Sequence, residues 1–281
     1  VAGLRILVIE GNVAALRARQ VAAQGYDAAT GYARVLASLD PDLECTIVRP
    51  ADAEPRLPIG AGLESFDGAV ITGSALNVYD GGPAIERQLE FTRAVLSAGV
   101  PLFGSCWGLQ IAVTVAGGRV ARNPRGREFG YARGIALTEA GRGHALYAGK
   151  PELFEAPTVH LDYVEELPAG ATVLARNDYG LQAAAFSCGA AEVWAVQYHP
   201  EYDYLDIAGV AARYGSRLVT EGLFADEAAL AAFIADATAL QANPGDQERL
   251  ERYALGPAMR DAMLRRAELR NWLAELVRPR L

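Results

Sequence analysis

Several things are scarce in this sequence, and each scarcity excludes something. Cysteine occurs only at Cys45, Cys106 and Cys188, an odd number with no metal-like spacing, so neither a disulfide framework nor a zinc site is expected. No metal or other cofactor follows from any motif. Basic residues number 26 against 34 acidic ones, giving a formal net charge of −8. That balance argues against a nucleic-acid or anionic-membrane partner. Lysine is nearly absent: Lys150 stands alone among arginines, which reads as compositional bias and solvated surface. No apolar run approaches the roughly 18 residues that a membrane span needs. The chain does not open on a basic-then-apolar leader. A soluble, cytoplasmic protein is the expectation. What remains is ordinary globular composition, 51% hydrophobic and 21% charged in 281 residues. That is enough for one large domain, or for one domain with an appendage.

The pattern changes twice along the chain. Up to about residue 118, short apolar runs alternate with helical spacing. Strands are predicted at 5–9, 45–50, 66–74 and 99–104, and helices at 31–39, 84–98 and 107–117. Such alternation predicts an α/β fold: a mixed, mostly parallel open sheet with helices on both faces. From 130 to 197 successive strands follow, at 131–139, 172–177, 181–186 and 192–198, some of them expected antiparallel on one side of the sheet. Beyond Tyr202 the chain reads as helical, with one helix over 228–240 and another over 258–277. We therefore divide it into a domain over 1–203 and a helical C-terminal extension over 204–281, packed on or beside it.

The chemistry concentrates in "PLFGSCWGLQ" (101–110). Cys106 lies between Gly104 and Gly108, after a predicted strand and at the start of a predicted helix. This is the context of a nucleophile elbow, in which small residues on either side admit a sharp, strained turn. The helix N-terminus favours a thiolate, and the N–H of Trp107 points where an oxyanion would form. A buried structural cysteine is the plainer alternative, and the elbow alone does not decide between them. A thiol nucleophile needs a base, and the sequence has only His144, His160 and His199. His199 follows a predicted buried strand in "VWAVQYHPEYD" (193–203), so it falls at the sheet edge where ligand sites of open α/β folds lie. Glu201, two residues on, is placed to orient the imidazole.

These two segments resemble the G-x-C-x-G-x-Q elbow and the terminal H-P-E of the triad-type, class I glutamine amidotransferases. Three further stretches, 70–80, 116–138 and 159–186, are similar to the glutaminase domain of GMP synthase. The resemblance runs from about residue 5 to 203 and implies the flavodoxin-like fold of that family. It implies that Cys106 attacks the side-chain amide of L-glutamine, with His199 as base and then acid, and Glu201 holding His199. It further implies an oxyanion hole from backbone at Trp107, Gly73 and Ser74. Substrate would be bound by Gln110 and by the loop His160, Leu161 and Asp162. Two departures stand out. Gly73-Ser74-Ala75 replaces the usual Gly-Gly-Pro, and Leu161 occupies a position that is commonly small.

Family members normally pass ammonia to a synthase domain. No S-G-G-x-D-S or G-x-x-x-x-G-K-[ST] phosphate loop is present, and 204–281 is short for a nucleotide-dependent ligase. Three functions follow as alternatives. The first is a glutaminase delivering ammonia to a separate synthase. The second is a hydrolase of another γ-glutamyl compound, peptide or amine, using the same chemistry. The third is a non-catalytic binding or regulatory relative, against which the presence of Cys106, His199 and Glu201 argues.

Overall fold

A computed structural model describes residues 3–53 and 57–280. Eleven strands run in chain order: β1 (Arg5–Ile9), β2 (Glu44–Val48), β3 (Gly68–Ile71), β4 (Leu102–Ser105), β5 (Arg119–Arg122), β6 (Glu128–Leu137), β7 (Leu153–His160), β8 (Asp162–Glu166), β9 (Thr172–Asn177), β10 (Gly180–Cys188) and β11 (Ala191–Val196). The helices in the first two-thirds are α1 (Ala14–Gln24), α2 (Ala28–Leu39), α3 (Pro83–Ser97), α4 (Trp107–Val115) and the short α5 (Glu139–Gly143). After β11 come α6 (Tyr204–Tyr214), α7 (Ser216–Thr220), α8 (Glu227–Ala242), α9 (Gln247–Tyr253), α10 (Pro257–Arg260), α11 (Ala262–Arg265) and α12 (Ala267–Trp272).

The main sheet has the order β2-β1-β3-β4-β11-β10-β9-β6-β7. Its first five strands are parallel, whereas β10, β9, β6 and β7 pair antiparallel, as the sequence led us to expect for that region. Strands β5 and β8 form a separate two-stranded ribbon. Alternation along β1 shows why its run is apolar throughout. Ile6 and Val8 enter one core with Tyr32 and Leu36 of α2, while Leu7 and Ile9 enter another with α3 and α4. A strand buried on both faces has no polar side to show.

Ile9 pairs with Ile71, Ile71 with Gly104, and Ser105 with Val196. These registers bring the carboxyl ends of β1, β3, β4 and β11 into one line. Residues 11–12, 73–75, 106 and 199 emerge side by side just beyond it.

The C-terminal helices share the core of the sheet. Leu269, Trp272 and Val277 lie in the same buried cluster as Phe103 and Val196. Trp272 also packs on Phe103 with ring centroids 6.0 Å apart. The single helix predicted over 258–277 is instead broken at Asp261, whose extended backbone ends α10. Its carboxylate then accepts hydrogen bonds from the N–H groups of Met263 and Leu264, restarting the helix as α11. The apolar stripe survives the break except at Met263, which is exposed. Among the described residues, no helix is long and apolar enough to cross a membrane.

Candidate active site

Cys106 links β4 to α4 with φ 51 and ψ −99, a conformation rare for a residue with a side chain. Its glycine neighbours make the turn possible. A Cβ on Gly104 would meet the Gly108 carbonyl carbon at 2.5 Å, and one on Gly108 would meet the Ile71 oxygen at 2.5 Å. The Cys106 N–H donates to the Val196 oxygen at 2.8 Å, tying the elbow to the adjacent strand. Its Sγ lies 3.7 Å from the Val159 oxygen.

His199 is buried, and its Nδ1 bonds Glu201 Oε1 at 2.8 Å. The other nitrogen, Nε2, is buried with no hydrogen-bond partner among the described residues, while the ring lines the same cleft as Cys106. Burial disfavours charge on this imidazole. The Glu201 carboxylate and then the Cys106 sulphur outweigh it and lift His199 from 6.5 to about 10. The ring of Tyr202 stacks on the imidazole, 4.1 Å between centroids and 8° from parallel. Glu201 is fixed in turn through Oε2, which accepts from Ser105 Oγ at 3.0 Å.

Gly73 sits directly against His199, since a Cβ there would meet Cε1 at 2.5 Å. The neighbouring turn is held from β1. Asn12 Oδ1 accepts from the Ala75 N–H at 3.1 Å and from Ser74 Oγ at 3.2 Å, so Ser74 is a bonded part of the loop. The N–H groups of Gly73 and Ser74 make no hydrogen bond among the described residues. That of Trp107, first in α4, has no intrahelical partner by position. Three donors are therefore unspent, two on the cleft-lining turn 73–74 and one at the residue after Cys106.

The cleft has a volume of about 330 Å³, at the small end for a small-molecule site. It gathers the sequence-derived candidates Cys106, His199, Gly73, Ser74, Gln110, His160, Leu161 and Asp162 into one place, with Glu201 directly behind His199. His160, however, spends both ring nitrogens within the protein. One bonds the Asp162 carbonyl at 2.9 Å and the other Glu128 Oε2 at 2.8 Å, so the ring braces the loop. Asp162 accepts from the Tyr79 hydroxyl at 2.8 Å, and burial raises its carboxyl above the usual range. His144 serves elsewhere, accepting from the Leu146 N–H at 3.2 Å and packing on Trp194. Among the described residues, no three His, Cys, Asp or Glu side chains gather as a metal site.

Sequence reasoning missed the far wall of the cleft. It comes from Arg19 on α1, Arg127 before β6, and Tyr202, Arg213, Tyr214 and Arg217 from the C-terminal helices and the turn preceding them. The only available signal was the position of Tyr202 beside the H-P-E. The arginines were hidden in a sequence rich in arginine.

An elbow cysteine and a facing histidine beyond the parallel strands of an α/β sheet is the layout of an enzyme that works through a thiol. The family model of class I glutamine amidotransferases matches residues 29–205, and the chain belongs to that family, whose chemistry makes it an amidohydrolase with a cysteine nucleophile. It is 36% identical over 226 residues to a γ-glutamyl-L-1-hydroxyisopropylamide hydrolase from Pseudomonas sp., covering 79% of this chain and 75% of that one. It is 37% identical over 133 residues to a glutamine-hydrolysing GMP synthase from Corynebacterium jeikeium, covering 47% of this chain and 23% of that one. A glutamine amidotransferase structure from Thermotoga maritima has the same fold, with TM-score 0.63 at 19% identity and 98% of each chain covered. The matched length takes in the C-terminal helices of this chain.

Proposed function

We propose that this protein hydrolyses γ-glutamyl amides, glutamine among them, through a thioester on Cys106. The observation that carries the reading is the hydrogen-bonded line from Glu201 to His199 Nδ1, with Nε2 unspent in the cleft that holds the strained Cys106.

Cys106 gives its proton to His199 Nε2 as Sγ attacks the γ-carbonyl carbon, and the carbonyl oxygen takes up negative charge. The N–H groups of Trp107, Gly73 and Ser74 receive that charge. The C–N bond then breaks as His199 Nε2 gives its proton to the departing nitrogen, releasing amine or ammonia. Water attacks the thioester carbonyl while Nε2 takes its proton, and the C–S bond breaks as Nε2 returns that proton to the sulphur, giving glutamate and the free thiol. Glu201 holds the ring and stabilises its charged form throughout. The glutamyl half ends in an ammonium and a carboxylate, for which Asp162 and Arg127 provide opposite charges, and Gln110 and Leu161 shape the space between.

Two features favour a free-standing hydrolase. The chain's own C-terminal helices form a wall of the cleft. The hydrolase of a γ-glutamyl alkylamide is also similar over far more of the chain than the GMP synthases are. The similarity to GMP synthases supports a second reading, in which glutamine is the donor and a separate synthase takes the ammonia. The purified protein distinguishes the two. Turnover of a γ-glutamyl alkylamide at a rate matching or exceeding that of L-glutamine supports the hydrolase. Turnover confined to L-glutamine, rising when a synthase is added, supports the second.

A further inference from the structure

This inference rests on the γ-glutamyl amide reading and concerns the other half of the substrate. The departing nitrogen takes its proton from His199 Nε2, so the amine portion lies on the His199 side of the cleft. Tyr202 is stacked there on the imidazole. Arg213 lines the same cleft as Tyr202, and its partner Gln24 also donates to the carbonyl of Asp206, four residues past Tyr202. Arg127 adjoins Glu128, whose carboxylate bonds His160, two residues before Asp162 at the β7–β8 turn, and all but Glu128 line the cleft. The cleft thus has a glutamyl end and an amine end with different charge.

At the glutamyl end Arg127 shares its charge with a carboxylate of the protein. Arg127 holds Glu221 through two hydrogen bonds of 2.6 and 3.2 Å, and Glu221 also accepts from Arg217 Nε at 2.8 Å. The amine end is different. Arg213 is half-buried at the end of α6, and its Nη1 donates to the neutral Gln24 Oε1 at 3.1 Å. Neither Arg213 nor Arg19, from the adjoining α1, forms an ion pair among the described residues. Two guanidinium groups without an ion-pair partner, half-buried Arg213 and exposed Arg19, thus line one cleft and attract an anion. Their planar donors match a carboxylate. They stand out in a chain of net charge −8.

We propose that Arg213, assisted by Arg19, binds a carboxylate on the amine portion, making γ-glutamyl amino acids the preferred substrates. Arg213 is then a specificity determinant that acts after the scissile bond and not on the glutamate half.

The test compares γ-glutamylglycine with γ-glutamylethylamide, which differ mainly in that carboxylate. The wild-type protein is expected to favour the dipeptide by about tenfold or more in kcat/KM. Arg213→Met lowers that ratio by about tenfold, chiefly through the KM of the dipeptide, and Arg213→Lys restores part of it. A wild-type ratio near one overturns the inference. So does an Arg213→Met variant that weakens both substrates equally, which would assign the residue to the glutamyl half or to the fold. Calorimetry on the Cys106→Ala protein gives an independent readout that does not need turnover. Tighter binding of γ-glutamylglycine than of γ-glutamylethylamide supports the assignment even if hydrolysis fails. Equal binding, or none, refutes it.

Discussion

Ser105 donates its hydroxyl proton to Glu201 Oε2 at 3.0 Å, so the residue before the nucleophile holds the carboxylate that holds the histidine. Because that proton is spent, the Tyr32 hydroxyl must be the donor in its 3.0 Å contact with Ser105 Oγ. Elbow, helix α2 and the H-P-E turn are thereby joined in one buried chain. Ser105→Ala is expected to lower kcat about tenfold with little change in KM, since a hydrogen bond to a charged group is lost. The alkaline limb of the pH–rate profile should also shift in this variant, because the carboxylate that charges His199 loses a hydrogen-bond donor. A packing role alone would leave that limb in place.

The charge on His199 gives a direct pH prediction. Its value rises from 6.5 to about 10 on folding, so the folded state holds the proton more tightly. The associated stability is fully present below about 6.5 and fades as pH climbs through about 10. A reaction in which this imidazolium protonates the amine fails on the same limb. Glu201→Gln removes the carboxylate and keeps the burial, so the limb should fall by about one unit or more, with about a hundredfold loss of kcat. A pH–rate profile identical to that of the wild type would contradict the assignment.

Gly73→Ala tests the closeness of the turn to the imidazole. The added methyl would lie 2.5 Å from His199 Cε1, well inside contact, and the ring has little room between Gly73 and Tyr202. Misplacing a catalytic group by about 1 Å costs on the order of a hundredfold. We expect such a loss in kcat/KM with the circular dichroism spectrum preserved. Full activity would show that the ring can move without penalty.

Much of this site was legible in the sequence for physical reasons. Gly104, Cys106 and Gly108 are residues an elbow requires, and three histidines left few choices of base. The parallel half of the sheet was equally visible, because strands such as β1 and β4, buried on both faces, must be continuous apolar runs. What escaped had no such signature. Helix α1 has five alanines among its eleven residues and no capping side chain at Val13, so its periodicity was faint. Strands β5, β7 and β8 pair at the sheet's margin and in a small ribbon, where the pattern is mixed. Asp261 broke a predicted helix because a residue tolerated inside a helix is also a good cap. The amine-end arginines could be found only once folding brought α6 beside α1.

The C-terminal helices should prove inseparable from the sheet. Trp272 is fully buried against Phe103, and a Cβ on Gly68 would come within 2.8 Å of its ring. Trp272→Ala should cost about 3–5 kcal/mol, read from the midpoint of urea unfolding. An unchanged midpoint would show that these helices merely rest on the sheet.

Glutamate release by the purified protein from γ-glutamylethylamide and L-glutamine, beside Cys106→Ala, tests the central claim most directly. We expect release from the wild type and a loss of at least about a thousandfold in the folded variant. Release at the wild-type rate from Cys106→Ala would contradict the account, as would no release from either substrate by the wild type.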